Sequence, residues 1–273
     1  MVGRFPHLVH FELEDFFDEY EHRAGLINLA SSDALPWSIA DLERKGAIAL
    51  GDTVSTLQYP DVRRHLYPSL EKFLKPPPGV ALLPTAGASE AIALVMHELV
   101  ATLAPHESRP LVIPTPSYGA FRGLAALLGL PIETYPYIPS RGWEPDLVAL
   151  ADLSRRCAAL VITNPHNPTG HVMDPSLLTK LSQEISSSGG TMIVDEVFRV
   201  AGEDSSAMTL GPHVVVIGSL SKTYGLPGVR LGWVATNEER VARLRNCTTV
   251  PDFVSKYDDR GHGCCHPRQA PGV

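Results

Sequence analysis

Lys222 stands in SLSKTYGLPGVRLGW (residues 219–233), between Ser219 and Ser221, with glycines at 225, 228 and 232 and an arginine, Arg230, eight positions on. So many small residues around one amine are poorly explained as a solvated surface charge. A lysine held partly out of water beside other cations is a general route to a nucleophilic amine, and Arg230 can neutralise a phosphate. Asp195 closes the apolar run TMIVD, so its carboxylate emerges at a strand end, where it either pairs with a cationic ring nitrogen or caps a neighbouring turn. GASE (87–90) lies between a strand and a helical pattern, where free backbone N–H groups and the helix dipole suit a phosphate. Ala88 lets a ligand approach; Ser89 adds a hydroxyl or serves as an ordinary N-cap with Glu90 in the first turn.

Two further stretches carry polar or planar groups at strand ends. NPHNPTG (164–170) is a rigid turn on one reading, and on the other a frame that fixes Asn167 as a hydrogen-bond donor. Tyr118, in PTPSYGAF, opens a helix, where its face can stack on a planar ring or pack into the core. An aspartate for a ring nitrogen, a lysine for an aldehyde, and a helix N-terminus plus arginine for a phosphate together describe pyridoxal 5'-phosphate.

These residues need elements to position them. GVALLPTAGASEAIALVMHELVATL runs from an apolar strand through a small-residue loop into a helix with Ile92, Val95, Met96 and Leu99 at helical spacing. PLVIP, a helix from Tyr118 to Leu128, a strand near Ile132 to Tyr135 and a helix around Leu147 to Leu153 follow. Then come AALVIT, a helix from Pro175 to Ser187, and the strands TMIVD, HVVVIGSL and LGWVAT. Short apolar runs alternating with helices predict a doubly wound α/β fold with a mostly parallel sheet, its ligand site beyond the carboxyl ends of the strands. The reading divides the chain into an N-terminal segment (1–45), a large α/β domain (46–245) and an atypical tail (246–273).

Composition bounds the partners. The chain has 273 residues with a formal charge of -7, so it offers no basic face for nucleic acid. Nothing approaches a transmembrane span, and acidic residues crowd the first twenty positions where a signal or transit peptide would not have them. Four cysteines (Cys157, Cys247, Cys264, Cys265) form no disulfide framework, which fits a reducing cytoplasm. Two decoys fall away. Adjacent cysteines in HGCCH (262–266) do not match ordinary zinc spacing, and HEL (97–99) meets Ala101 where a zinc protease helix needs its second histidine. No metal site is expected.

With five motifs in order over residues 59 to 233, the chain resembles the class I/II aminotransferases, fold type I pyridoxal-phosphate enzymes. The resemblance implies that Lys222 holds the cofactor as a Schiff base, that Asp195 of DEVF binds the pyridine nitrogen, and that Asn167 binds the ring hydroxyl. Tyr118 would stack on the ring, while Ala88, Ser89, Ser219 and Arg230 hold the phosphate. Tyr59 of LQYPD resembles a tyrosine that reaches the phosphate of a partner subunit, which implies a homodimer with shared sites. The implied activity is transamination between an amino acid and an oxo acid, with Lys222 as the general base and acid.

Three departures from the family pattern stand out. Phe198 occupies a position where the family commonly has a tyrosine. INLASSDALPW (27–37), in the place of a substrate-covering strand, lacks the asparagine-rich motif of the histidinol-phosphate branch. The segment after Arg230 does not resemble the family's C-terminal domain, so a shortened C-terminus with an incomplete small domain is expected, and neither Arg260 nor Arg268 is assigned to substrate. Alternatives therefore stay open: other chemistry on the same cofactor (decarboxylase, carbon–sulfur lyase or synthase), or an inactive truncated member of the fold.

Overall fold

The structure is a computed structural model that describes residues 12–20, 23–48, 62–104, 108–201 and 206–247. Tyr59 and the tail from residue 248, with Arg260 and Arg268, lie outside the described residues. In chain order the elements are α1 (Glu12–Tyr20), α2 (Ile39–Arg44), α3 (Val62–Leu74), β1 (Val80–Thr85), α4 (Ala88–Thr102), β2 (Leu111–Thr115), α5 (Gly119–Leu127) and β3 (Ile132–Ile138). They continue with β4 (Glu144–Pro145), α6 (Leu147–Ser154), β5 (Ala159–Thr163), α7 (Pro175–Ser187), β6 (Thr191–Asp195), β7 (Val214–Ser219), β8 (Gly232–Asn237) and α8 (Glu238–Asn246).

The strands form one sheet in the order β1-β8-β7-β6-β5-β2-β3-β4. β7, β6, β5, β2 and β3 run parallel, and β8 lies antiparallel to both of its neighbours, β1 and β7. Period-2 alternation explains why both faces are buried. Leu160, Ile162, Met192, Val194, Val214 and Val216 point to one face, where Leu150 and Leu153 of α6 and Leu178, Leu181 and Ile185 of α7 cover them. Ala159, Val161, Ile193, Val215 and Ile217 point to the other, under Ile92, Val95 and Met96 of α4, Phe121 of α5, and Val241 and Leu244 of α8. Helices on both faces of a mostly parallel sheet are the doubly wound arrangement expected.

The sequence pattern carries no sign of the inverted strand β8, which matters for the site. β1, β2, β5, β6 and β7 end on one rim, at Thr85, Thr115, Thr163, Asp195 and Ser219, while β8 begins there, at Gly232. The chain therefore re-enters the sheet at the rim where its neighbours leave it, and Arg230 lands among their carboxyl ends. Gly232 makes this close approach possible: a Cβ there would stand 2.5 Å from the Gly87 carbonyl carbon and 2.8 Å from the Ala88 nitrogen.

Candidate active site

The rim encloses a cavity of 270 Å³. Lys222, Asp195, Asn167, Tyr118, Ala88, Ser89, Ser219 and Arg230 all line it. Residues from five places in the chain thus meet at one point, as the strand-end positions predict. Phe198, Ser221, Phe17 and the segment Ser31–Asp33 also line it, with Ile92, Val197 and Pro227.

Each wall has a local cause. α4 starts after Gly87, whose φ of 98° suits glycine alone, and no side chain caps it. The first-turn N–H groups therefore face the cavity with the positive end of the helix dipole behind them. Arg230 packs against the same glycine so closely that a Cβ at position 87 would strike its guanidinium. Its Nη2 donates to the Ala86 carbonyl (3.1 Å) and its Nη1 to the Pro227 carbonyl (2.9 Å), with the backbone itself in the left-handed region (φ 54°). Two fixed bonds aim this cation at the helix N-terminus. Ser219 accepts the Ser221 N–H on its hydroxyl oxygen (3.3 Å), which leaves its own proton for a further acceptor.

Asp195 is 4% exposed, and its Oδ1 accepts the Val197 N–H (3.0 Å). Burial pushes its pKa up to about 6 against the lowering by that hydrogen bond, and the charge of Glu196 adds to the rise. A buried carboxylate under that strain is suited to a cationic partner. Lys222 is only partly exposed, and its ammonium pairs with Asp33 of the N-terminal segment. The donor set fits pyridoxal phosphate: a carboxylate for its ring nitrogen, an amine for its aldehyde, and a bare helix N-terminus beside an arginine for its phosphate.

Asn167 and Tyr118 sit on separate loops that a histidine joins. His166 Nε2 lies 3.1 Å from the Pro116 carbonyl and Nδ1 lies 2.8 Å from the Thr169 hydroxyl, while the ring stacks on Tyr137 at 3.7 Å. Burial pulls its pKa down to about 4, so the ring is neutral in ordinary buffers. A base with a depressed folded-state pKa contributes stability that is lost as pH falls from about 6.5 toward 4. His166→Ala is expected to remove that pH dependence and to weaken cofactor binding roughly tenfold through loss of loop alignment, as read by thermal unfolding between pH 4 and 8 and by cofactor titration.

The residues that sequence reasoning passed over here are His166, Phe17 and Asp33. His166 lies inside NPHNPTG, whose pattern shows only a turn. Asp33 has no periodic signal, since it lies in a coil shaped by side chains: Asn28 Oδ1 accepts the N–H groups of Ala30 (3.0 Å) and Ser31 (3.1 Å), and the Ser31 hydroxyl donates to Asp33 Oδ2 (3.0 Å).

The family model "Aminotransferase class I and II" matches residues 25–250. The chain is 34% identical over 176 residues to capreomycidine synthase of Streptomyces vinaceus, covering 63% of this chain and 44% of that protein. It is 35% identical over 184 residues to nicotianamine aminotransferase 1 of Oryza sativa subsp. japonica, covering 64% and 36%. A PLP-dependent aminotransferase from Streptococcus suis superposes with a TM-score of 0.75 at 27% identity, over 88% of this chain and 65% of that one. The chain thus spans less than half the length of these two curated relatives. The family model covers most of the chain and the fold is shared, so the chain belongs to the class I and II aminotransferase family, whose cofactor is pyridoxal 5'-phosphate.

Proposed function

We propose that this chain binds pyridoxal 5'-phosphate in the rim cavity and moves an amino group from an amino acid to an oxo acid. The observation that carries the reading is the convergence of Lys222, Asp195, Asn167 and Arg230 on one 270 Å³ space. Residues 46–245 form the cofactor-binding unit in this reading. Lys222 bonds the aldehyde, Asp195 pairs with the ring nitrogen, Asn167 donates to the ring hydroxyl and Tyr118 lies against the ring. Ala88, Ser89, Ser219 and Arg230 take the phosphate. Tyr59 is assigned to the phosphate of a partner subunit, within a homodimer. Unpaired thiols at Cys157 and Cys247 suit a reducing cytoplasm. Among the described residues no helix is long and apolar enough to cross a membrane.

When bound, the cofactor supplies an aldehyde that captures amines and a protonated ring that draws electrons from the bonds at the substrate Cα. Asp195 keeps the ring nitrogen protonated, because a buried carboxylate gains most from a cation held against it. Arg230 and the α4 N-terminus would hold the phosphate, in the same cavity that Lys222 lines. Lys222 would hold the cofactor through its aldehyde and, once freed by a substrate amine, its Nζ would be the base that takes a proton from the substrate Cα and the acid that gives it back. Phe198 offers no hydroxyl to the ring oxygen, so Asn167 bears that role.

A second reading keeps the cofactor and changes the bond broken at Cα; it is favoured by the 34% identical relative being named a synthase. The test common to both is capture. Protein mixed with pyridoxal phosphate and reduced with borohydride is expected to carry a pyridoxyl group on the Lys222 peptide, with none in Lys222→Ala. Folded wild-type protein without the adduct rules out both readings, and product analysis with an amino-acid panel separates them.

A further inference from the structure

Asp33 is the charged wall residue that the reading above leaves without a task. Among the described residues lining the cavity four are charged: Asp33, Asp195, Lys222 and Arg230. With the cofactor in place, Arg230 faces its phosphate, Asp195 its ring nitrogen, and the Lys222 amine is taken up by its aldehyde. Asp33 then loses the ammonium that it holds, while the turn built by Asn28 and Ser31 keeps its carboxylate where it is. Its side chain is 48% exposed, so it lies at the mouth rather than in the depth of the cavity. Phe17 and Phe198 provide apolar wall within the same space.

We propose that Asp33 is a specificity residue of the substrate subsite and selects amino acids whose side chain is an aliphatic stem ending in an amine or guanidinium. The inference rests on the cofactor reading. An uncompensated carboxylate favours a ligand that brings a positive charge and disfavours one that brings a second negative charge, even from several ångströms. The stem of such a side chain covers the aromatic wall while its tip reaches the wet mouth. Burial raises the Asp33 pKa, and its net lowering in the cofactor-free protein comes mainly from Lys222; once that amine is taken up, the Ser31 hydroxyl still donates to the carboxylate, which at 48% exposure keeps much of its hydration.

The test compares L-lysine with its uncharged counterpart L-norleucine, and L-glutamate as the opposite charge, on the cofactor-loaded protein. Dissociation constants come from calorimetry and from the cofactor's visible absorption. L-lysine is expected to bind about fivefold more tightly than L-norleucine, the yield of a half-exposed ion pair. Asp33→Asn brings that ratio to about one, and Asp33→Lys makes L-glutamate the better ligand. If loaded wild-type protein binds L-lysine and L-norleucine alike, Asp33 meets only the α-amino group common to all substrates, and the proposal falls. It falls equally if the ratio survives Asp33→Asn. Either result leaves the cofactor reading standing as long as borohydride fixes the cofactor on Lys222, whereas absence of the adduct overturns both.

Discussion

Asp195→Asn is expected to raise the stability of the cofactor-free protein above pH 6 while removing most of its affinity for pyridoxal phosphate. The folded-state pKa of about 6 lies above the ordinary 3.8, so the native chain keeps a proton that the unfolded chain has released. Stability therefore falls as pH rises between about 4 and 6, and the full penalty, about 3 kcal/mol, persists above that window. An asparagine carries no charge to desolvate and its Oδ1 still accepts the Val197 N–H, so the variant gains up to that amount at pH 8 and nothing near pH 4. His166 acts in the opposite sense over part of this range, which makes the difference between the two proteins, rather than either curve alone, the quantity to measure. Cofactor affinity moves the other way. Removing one partner of a buried ion pair costs about 3–5 kcal/mol, a loss of roughly two to four decades in binding. Denaturant titrations at pH 4, 6 and 8, with cofactor titration at pH 8, check both halves. An unchanged stability difference across that range, or cofactor bound as tightly as by wild type, contradicts the role given to Asp195.

Gly232→Ala is expected to damage fold and site together. The added methyl would lie 2.5 Å from the Gly87 carbonyl carbon, 2.8 Å from the Ala88 nitrogen and 2.9 Å from Gly87 Cα. Every one of these is backbone, so no side chain can rotate away. Gly232 is also paired on both sides, with Thr85 of β1 and Ser219 of β7, and cannot withdraw without breaking a ladder. Relief requires α4 to move off the rim, which separates its N-terminus from Arg230. Overpacking of this kind costs about 1–3 kcal/mol, and phosphate affinity falls with the lost alignment, by roughly a hundredfold. Gly228→Ala is the control: four residues earlier, in the turn that leads into β8, its Cβ would meet nothing within 4 Å. Thermal unfolding and cofactor titration of the two variants side by side settle the matter, and equal behaviour would refute the steric account.

The parts of this molecule that were legible in its sequence are those governed by local rules. α7 begins and ends where its pattern predicts, because Asp174 accepts the Ser176 N–H as N-cap and Pro175 follows at the first helical position. TMIVD reads directly as β6, and the polar residues at strand ends converge because parallel strands deliver their carboxyl ends to one rim. Tyr118 proves to be the N-cap of α5 rather than its first residue, a one-position difference set by its extended backbone. What failed to show depends on the whole chain. α8 is so polar that only Val241 and Leu244 are buried, and its helical stripe is too thin to stand out. The direction of β8 is set by its neighbours and leaves no mark in LGWVAT. Asp33 reaches Lys222 from far along the chain, through a coil with no periodicity at all.

The inverted strand has a consequence for the order in which the protein assembles during synthesis. β1 lies at the sheet edge, and among the described residues β8 is the strand beside it, with Val80 opposite Asn237 and Thr85 opposite Gly232. The two are separated by most of the described domain, so an emerging chain carries VALLPT without this partner until β8 has been made. Closing so long a loop is entropically costly and slow, and the waiting edge is open to pairing with other chains. The phosphate-binding end of α4 depends on the same late event, because Arg230 arrives with β8. Competence to hold the cofactor therefore switches on in the step that seats β8, and a ribosome-bound chain that stops short of residue 237 should lack it altogether.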